Sequence, residues 1–340
     1  MNRLDLASKA PPPPSEFSVI AADGSHIDVD RHSPVRCYLI NIGSVSLRYG
    51  KGSGAFLASE PTLYSGDDLT IADPTGYSQE VPIEGPLLGI KRSVLECRKL
   101  AELAQDLNED TPALGLLDGS LILWGLGGQD IPEFVKKAML EDGLLVPLNL
   151  LRRMSSRRML TVASYISLPR STEVVNILRV ALCPYKVADC DRYCSGKRSD
   201  QKRGCEAMDG LRDRDLFQQL LSAGERSALF RNRSKIVRER YREHAIVFFY
   251  LNAGAEIARV ELPHWATERE DLLSLVHALV FDECQRGQGY PVALSEAHEK
   301  AVVTTADREQ FWHLVELALT RSDLSTQTSA KSQSKRTRWV

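Results

Sequence analysis

The chain has 340 residues, 43% hydrophobic and 26% charged, with a formal net charge of −2. This is the make-up of a water-soluble globular protein of one large domain or two average ones, and it excludes a global field that would draw the molecule to nucleic acid or membrane. There is no apolar run long enough for a membrane span and no signal-peptide segment, and the seven cysteines are odd in number and mostly clustered, which argues against a secreted disulfide framework; a cytoplasmic location is expected.

Residues 1–16 carry four consecutive prolines and read as a flexible, extended leader. A strand over 17–20 runs into Asp23-Gly24-Ser25. Two further strands, 35–42 and 44–49, are expected to meet at a turn, Asn41-Ile42-Gly43. Residues 50–85 read as irregular or strand-loop-strand. Apolar residues at 90, 94, 95, 100, 103, 104 and 107 have helical spacing and predict a helix over 90–108. The strand 113–117 leads into a second triplet, Asp118-Gly119-Ser120. A helix pair, 131–142 and 145–156, breaks at Gly143. The segment 160–166 follows, then a helix over 173–182 and a cysteine-rich insert, 183–210. After a short helix at 215–223 come a strand pair (245–251 and 257–261), a helix over 268–288, an extended piece at 291–294, a helix or strand over 297–304 and a last helix over 308–320. Residues 322–340 read as a disordered basic tail. The expectation is one α/β domain over 17–321, with a mixed central sheet flanked by helices.

An apolar run ending in a carboxylate puts that acid at a strand end, in reach of solvent and a hard cation, and the following glycine allows a tight turn. Asp23 and Asp118 are therefore candidates for a divalent-metal site for phosphoryl transfer, with ordinary Asp-Gly hairpin turns as the alternative. A few carboxylates suffice to hold Mg²⁺ or Mn²⁺. Glu96, next to the apolar positions 94, 95 and 100, is the preferred third acid; Glu102, six residues on, is the reserve. A surface pair with Arg92 is the alternative role for Glu96. In the segment from Gly289 to His298, Tyr290 is a candidate to bond a phosphate oxygen or position a water. His298 is a candidate metal ligand or proton shuttle.

The two triplets, the Glu96 helix ahead of the second, Tyr290-Pro291 and Ala297-His298, in this order, resemble the NurA nuclease family. The segment 162–170 is also similar to that family's central strand and Pro-Arg turn. The resemblance implies an RNase H-like core and a manganese- or magnesium-dependent deoxyribonuclease, a 5′-to-3′ exonuclease and single-strand endonuclease. It implies a homodimer working on single-stranded DNA and duplex ends with HerA, a hexameric ATP-driven translocase, in end resection, repair or defence. By resemblance Asp23, Glu96 and Asp118 bind metal, and Tyr290 and His298 complete the site.

Cys183, Cys190, Cys194 and Cys205 fall in a polar insert that could hardly fold on apolar burial alone. Their spacing has no paired C-x2-C knuckle, and Zn²⁺, an iron–sulfur cluster or free thiols are the readings. Arg152, Arg153, Arg157 and Arg158 form a local basic group suited to DNA phosphates, as does a run from Arg226 to Arg242; a solvated helix face is the alternative. The tail bases Lys331, Lys335, Arg336 and Arg338 are candidates for DNA or for docking on the motor. No phosphate-binding loop is present, so the chain is not itself the motor. Rival functions are a catalytically inactive adaptor capping a translocase, or a metal-stabilised DNA-binding module.

Overall fold

The structure, a computed structural model, describes residues 6–30, 35–76, 79–128, 130–196 and 203–321. The tail 322–340, with its four candidate bases, lies outside the described residues, as do 1–5 of the leader and 197–202 of the insert. No helix among the described residues is long and apolar enough to cross a membrane.

Ten strands build the main sheet among the described residues, and the seven longest are β1 (Phe17–Ile27), β2 (Cys37–Tyr49), β3 (Gly54–Ser65), β4 (Ala113–Asp118), β5 (Leu160–Ile166), β6 (Ile246–Asn252) and β7 (Ile257–Pro263). Their order is β3-β2-β1-β4-β5-β7-β6. The first three form an antiparallel meander. β4 runs parallel to β1, and β5 parallel to β4. β7 and β6 continue antiparallel. The central strands β4 and β5 are covered on both faces, which explains their near-continuous apolar runs: Leu114, Leu116, Val162 and Ala163 are fully buried.

The longer helices are α1 (Pro86–Gln105), α2 (Leu145–Ser155), α3 (Glu173–Ala181), α4 (Asp213–Leu220), α5 (Glu270–Arg286), α6 (Val292–Ala301) and α7 (Thr305–Arg321). Alternation along the strands assigns α1 and α6 to opposite faces. A Cβ on Gly24 or Gly115 would meet Arg92 and Glu96, or Leu100, of α1, whereas one on Gly43 would meet the backbone of α6. Gly115 pairs with Ile20, four residues from Gly24 along β1 and so on the same face, while Gly43 pairs with Asp23.

Several local expectations are corrected. Asn41-Ile42-Gly43 is not a turn, because β2 runs unbroken from Cys37 to Tyr49. Gly43 is there for a close helix approach, not for a bend. Asp23-Gly24-Ser25 likewise lies inside β1, not at its end. Gly143 breaks nothing: a π-helical stretch, Lys137–Leu144, leads directly into α2. A Cβ at Gly143 would lie 3.0 Å from the Ala138 carbonyl and 3.1 Å from Val94, so this glycine lets the stretch press on α1. Residues 291–294 are not extended; Pro291 precedes α6 at its N-cap, where a fixed φ and a missing N–H cost nothing. The leader is pinned to the sheet edge, with Ser8–Lys9 pairing with Glu225–Arg226.

Candidate active site

Asp118 is the last residue of β4 and pairs with Tyr165 of β5. The parallel β1–β4 ladder ends at Ala22 and Leu117, so Asp23 and Asp118 are the next residues on neighbouring strands. In-register parallel neighbours point to the same side, here the face covered by α6. Sequence-distant segments complete the group on that face. The His298 Nδ1 lies 2.8 Å from Asp23 Oδ2, and the Tyr290 hydroxyl donates to Asp118 Oδ1 at 3.1 Å.

Each partner is held by its own support. The C-terminal carbonyls of α6 are received by the sheet: Asn41 donates to the Ala301 carbonyl at 2.9 Å and to that of Lys300 at 3.1 Å, and the Ser25 hydroxyl donates to Ala301 at 2.5 Å. These bonds satisfy orphan carbonyls of a helix end. At the other end, the fully buried Glu283 accepts the Ala293 N–H at 2.8 Å and the Tyr49 hydroxyl at 2.6 Å. The Tyr290 ring packs edge-on against Tyr165 at 5.4 Å, whose hydroxyl donates to Glu256 at 2.8 Å. The loop after Asp118 is tied to buried Glu261, which accepts from the Ser120 hydroxyl at 2.8 Å and the Leu121 N–H at 3.0 Å. Arg259, itself buried, neutralises Glu261 at 2.8 Å.

Glu96 does not join this group as the side chains stand. Its carboxyl is buried on the α1 face, where a Cβ on Gly24 would lie 2.8 Å from Oε1. Arg92 Nε stands 3.1 Å away, an ion pair whose angles fall short of a hydrogen bond. The backbone of β1 thus lies between Glu96 and Asp23. The two faces still communicate by charge: burial raises the Glu96 carboxyl to about 8, Arg92 opposes this, and the charges of Asp23 and Asp118 add to it. Asp118 is also raised, first by burial and then by Asp23, against the Tyr290 hydrogen bond. The Tyr290 phenol is pushed upward by burial and by Asp118, so it stays protonated as a donor. Glu102 points elsewhere, exposed and paired with Lys99 at 3.3 Å.

No three His, Cys, Asp or Glu side chains among the described residues are gathered as they stand to hold one metal ion. The donor chemistry of Asp23, Asp118 and His298 nonetheless fits a hard divalent cation, which takes carboxylate oxygens and keeps several waters.

The basic group lies at the other end of the sheet. Residue 160 begins β5 and pairs with Ala113, the first residue of β4, whereas Asp118 is the last; five residues of strand correspond to about 17 Å. Arg158 donates to the carbonyls of Ala104 and Leu107 at the end of α1, a structural role. Arg152 stands 3.6 Å from Glu243. Arg153 and Arg157 are exposed there. These arginines therefore stand apart from the carboxylate group, toward the opposite strand ends. In the second basic run, Arg240 is paired with Glu133 and Arg242 with Glu141.

The supports that sequence reading missed are Glu261, Arg259, Glu283, Asn41 and Ser25. Glu261, Arg259 and Glu283 are charged residues within otherwise apolar strands and a helix; that pattern marks a buried charge with a partner, but not which partner.

No curated protein matches the chain. Among solved structures, one of Argonaute from Aquifex aeolicus aligns with 84% of this chain and 28% of its own length, at 9% identity and a TM-score of 0.27; this chain therefore spans little more than a quarter of that one. A NurA domain model matches residues 17–303, from β1 through the helix that carries His298, and the chain belongs to the NurA family.

Proposed function

We propose that the protein is a metal-dependent DNA nuclease that hydrolyses phosphodiesters at Asp23, Asp118, Tyr290 and His298. The observation that carries this reading is the convergence of two carboxylates from neighbouring parallel strands with a tyrosine and a histidine from the far end of the chain. The NurA family is a nuclease family associated with HerA, and the order β3-β2-β1-β4-β5 supports an RNase H-like core.

Asp23, Asp118 and His298 would hold Mn²⁺ or Mg²⁺. When bound, such an ion supplies an activated water and neutralises phosphate charge. Glu96, behind Gly24, is the third acid of the set, and a bound cation would favour its charged form. Asp23 orients the His298 ring through Nδ1, which leaves Nε2 as the nitrogen that would meet the ion. Tyr290, protonated, fixes Asp118 and stands ready to bond a phosphate oxygen. The substrates are DNA ends and single strands, cut from the 5′ side or internally, and the working unit is a homodimer docked on a HerA-type ATPase.

The test is incubation of the purified chain with labelled single-stranded and duplex DNA, in Mn²⁺ or chelator, with and without the ATPase. Cleavage that needs the metal and is lost in Asp118→Ala is expected. Binding without cleavage under every condition would favour an inactive adaptor.

A further inference from the structure

The cysteine lobe after α3 stands apart from the carboxylate site. Cys190 and Cys194 begin and end one short helix, Cys205 lies in the 3-10 turn Gly204–Met208, and Cys183 follows α3. All four line one cavity of about 400 Å³, and all four are free thiols.

Among the described residues of 181–212 none is buried, so this lobe has no apolar core. The described parts of its backbone are nonetheless held in place. Asp189 caps the short helix by accepting the Arg192 N–H at 2.9 Å, Tyr185 stacks on Tyr193 at 4.3 Å, and Arg203 donates to the Cys194 carbonyl at 3.2 Å. Ordering a backbone costs about 1–2 kcal/mol per residue. A few polar contacts do not offset that cost, whereas a metal centre can supply folding energy outright.

The breadth of the arrangement selects among centres. Zinc–sulfur bonds of about 2.3 Å bring four thiolates to within roughly 4 Å of one another. The lobe thiols share one cavity, yet no three are gathered closely enough for a single ion. An iron–sulfur cluster binds its thiolates at separate irons around an inorganic core, so its cysteines stand wider apart. Charge agrees, because four thiolates make an anionic centre and both Arg179 and Arg203 line the cavity. We infer that Cys183, Cys190, Cys194 and Cys205 ligate an iron–sulfur cluster that orders this lobe.

The test uses the full chain purified without oxygen, analysed for iron, acid-labile sulfide and zinc alongside its visible spectrum. Iron and sulfide in equal amounts, with broad charge-transfer absorption, are expected. Cys194→Ser and Cys205→Ser lose that absorption and most of the iron, whereas Cys37→Ala, in buried strand β2, keeps both. Far-UV circular dichroism checks that the serine variants retain the sheet; if they do not fold, the metal content of the unaltered chain decides alone. Stoichiometric zinc without sulfide, iron retained in both folded serine variants, or metal-free protein whose lobe thiols all titrate freely would each overturn the inference. The outcome is independent of DNA cleavage, which Asp118→Ala tests separately.

Discussion

Replacing Gly43 by alanine is expected to dislodge the helix that carries His298. The added Cβ would lie 2.2 Å from the Ala297 carbonyl oxygen and 2.4 Å from the Ala301 nitrogen, and real Cβ contacts stay above 3.0 Å. Both clashing groups are backbone, so no side-chain rotation relieves them, and α6 must retreat by about 1 Å in a close-packed interior. That retreat stretches the Asn41 and Ser25 bonds to the helix end and draws His298 from Asp23, now 2.8 Å apart. Overpacking of this kind costs about 1–3 kcal/mol, and a 1 Å misplacement near reacting groups costs about 10²-fold in rate. The assay pairs Mn²⁺-dependent cleavage of labelled single-stranded DNA with urea unfolding of the same preparation. A Gly43→Ala protein that cuts within about twofold of the unaltered rate and unfolds at the same urea concentration would refute the reasoning.

Burial holds the Glu96 carboxyl at about 8 against its ordinary 4.5. The metal-free folded state therefore keeps a proton the unfolded chain releases, and stability falls as pH rises from about 4.5 to about 8, by up to roughly 1.4 kcal/mol per pH unit. Glu96→Gln removes that slope; unfolding curves of the two proteins that run parallel across this window would count against it. Arg158→Ala uncaps the end of α1 and lowers stability by about 1 kcal/mol in urea unfolding, while Arg153→Ala changes neither stability nor cleavage, since it lies at the far end of the sheet. Glu261→Ala leaves the Leu121 N–H and Arg259 without their buried partner, and a loss of about 3 kcal/mol or more with weakened cleavage is expected; unchanged unfolding would show that the loop after Asp118 is held by other contacts.

Much of the sheet was legible because its strands are apolar and short. The segments 113–117 and 160–166 are β4 and β5 nearly residue for residue, and 268–288 contains α5. The length of the meander strands was not, because Gly43 and the Asp23 triplet read as turn chemistry when they sit inside strands. Pattern alone does not distinguish a glycine that bends the chain from one that admits a helix on the next layer. At the site, Asp23, Asp118, Tyr290 and His298 were legible as types, and the register brings them together. The position of Glu96 was not, since helical spacing says which residues face the sheet but not which side of it the helix covers. The placement of the arginines 152–158 was not legible for a related reason: their charge is local in sequence, while their distance from Asp118 is set by strand direction.

The contact between His298 and Asp23 spans 275 residues, and that between Tyr290 and Asp118 spans 172. At ribosomal speeds of about 5–20 residues per second, the second interval alone takes roughly 10–30 s to synthesise. During that time the emerging polypeptide carries both aspartates without Tyr290, His298 or the helix α6 that covers them. Under the proposed function, completion of the site is thereby deferred until the segment with Tyr290 and His298 has emerged, and a chain cut off before it would carry the acids without their partners.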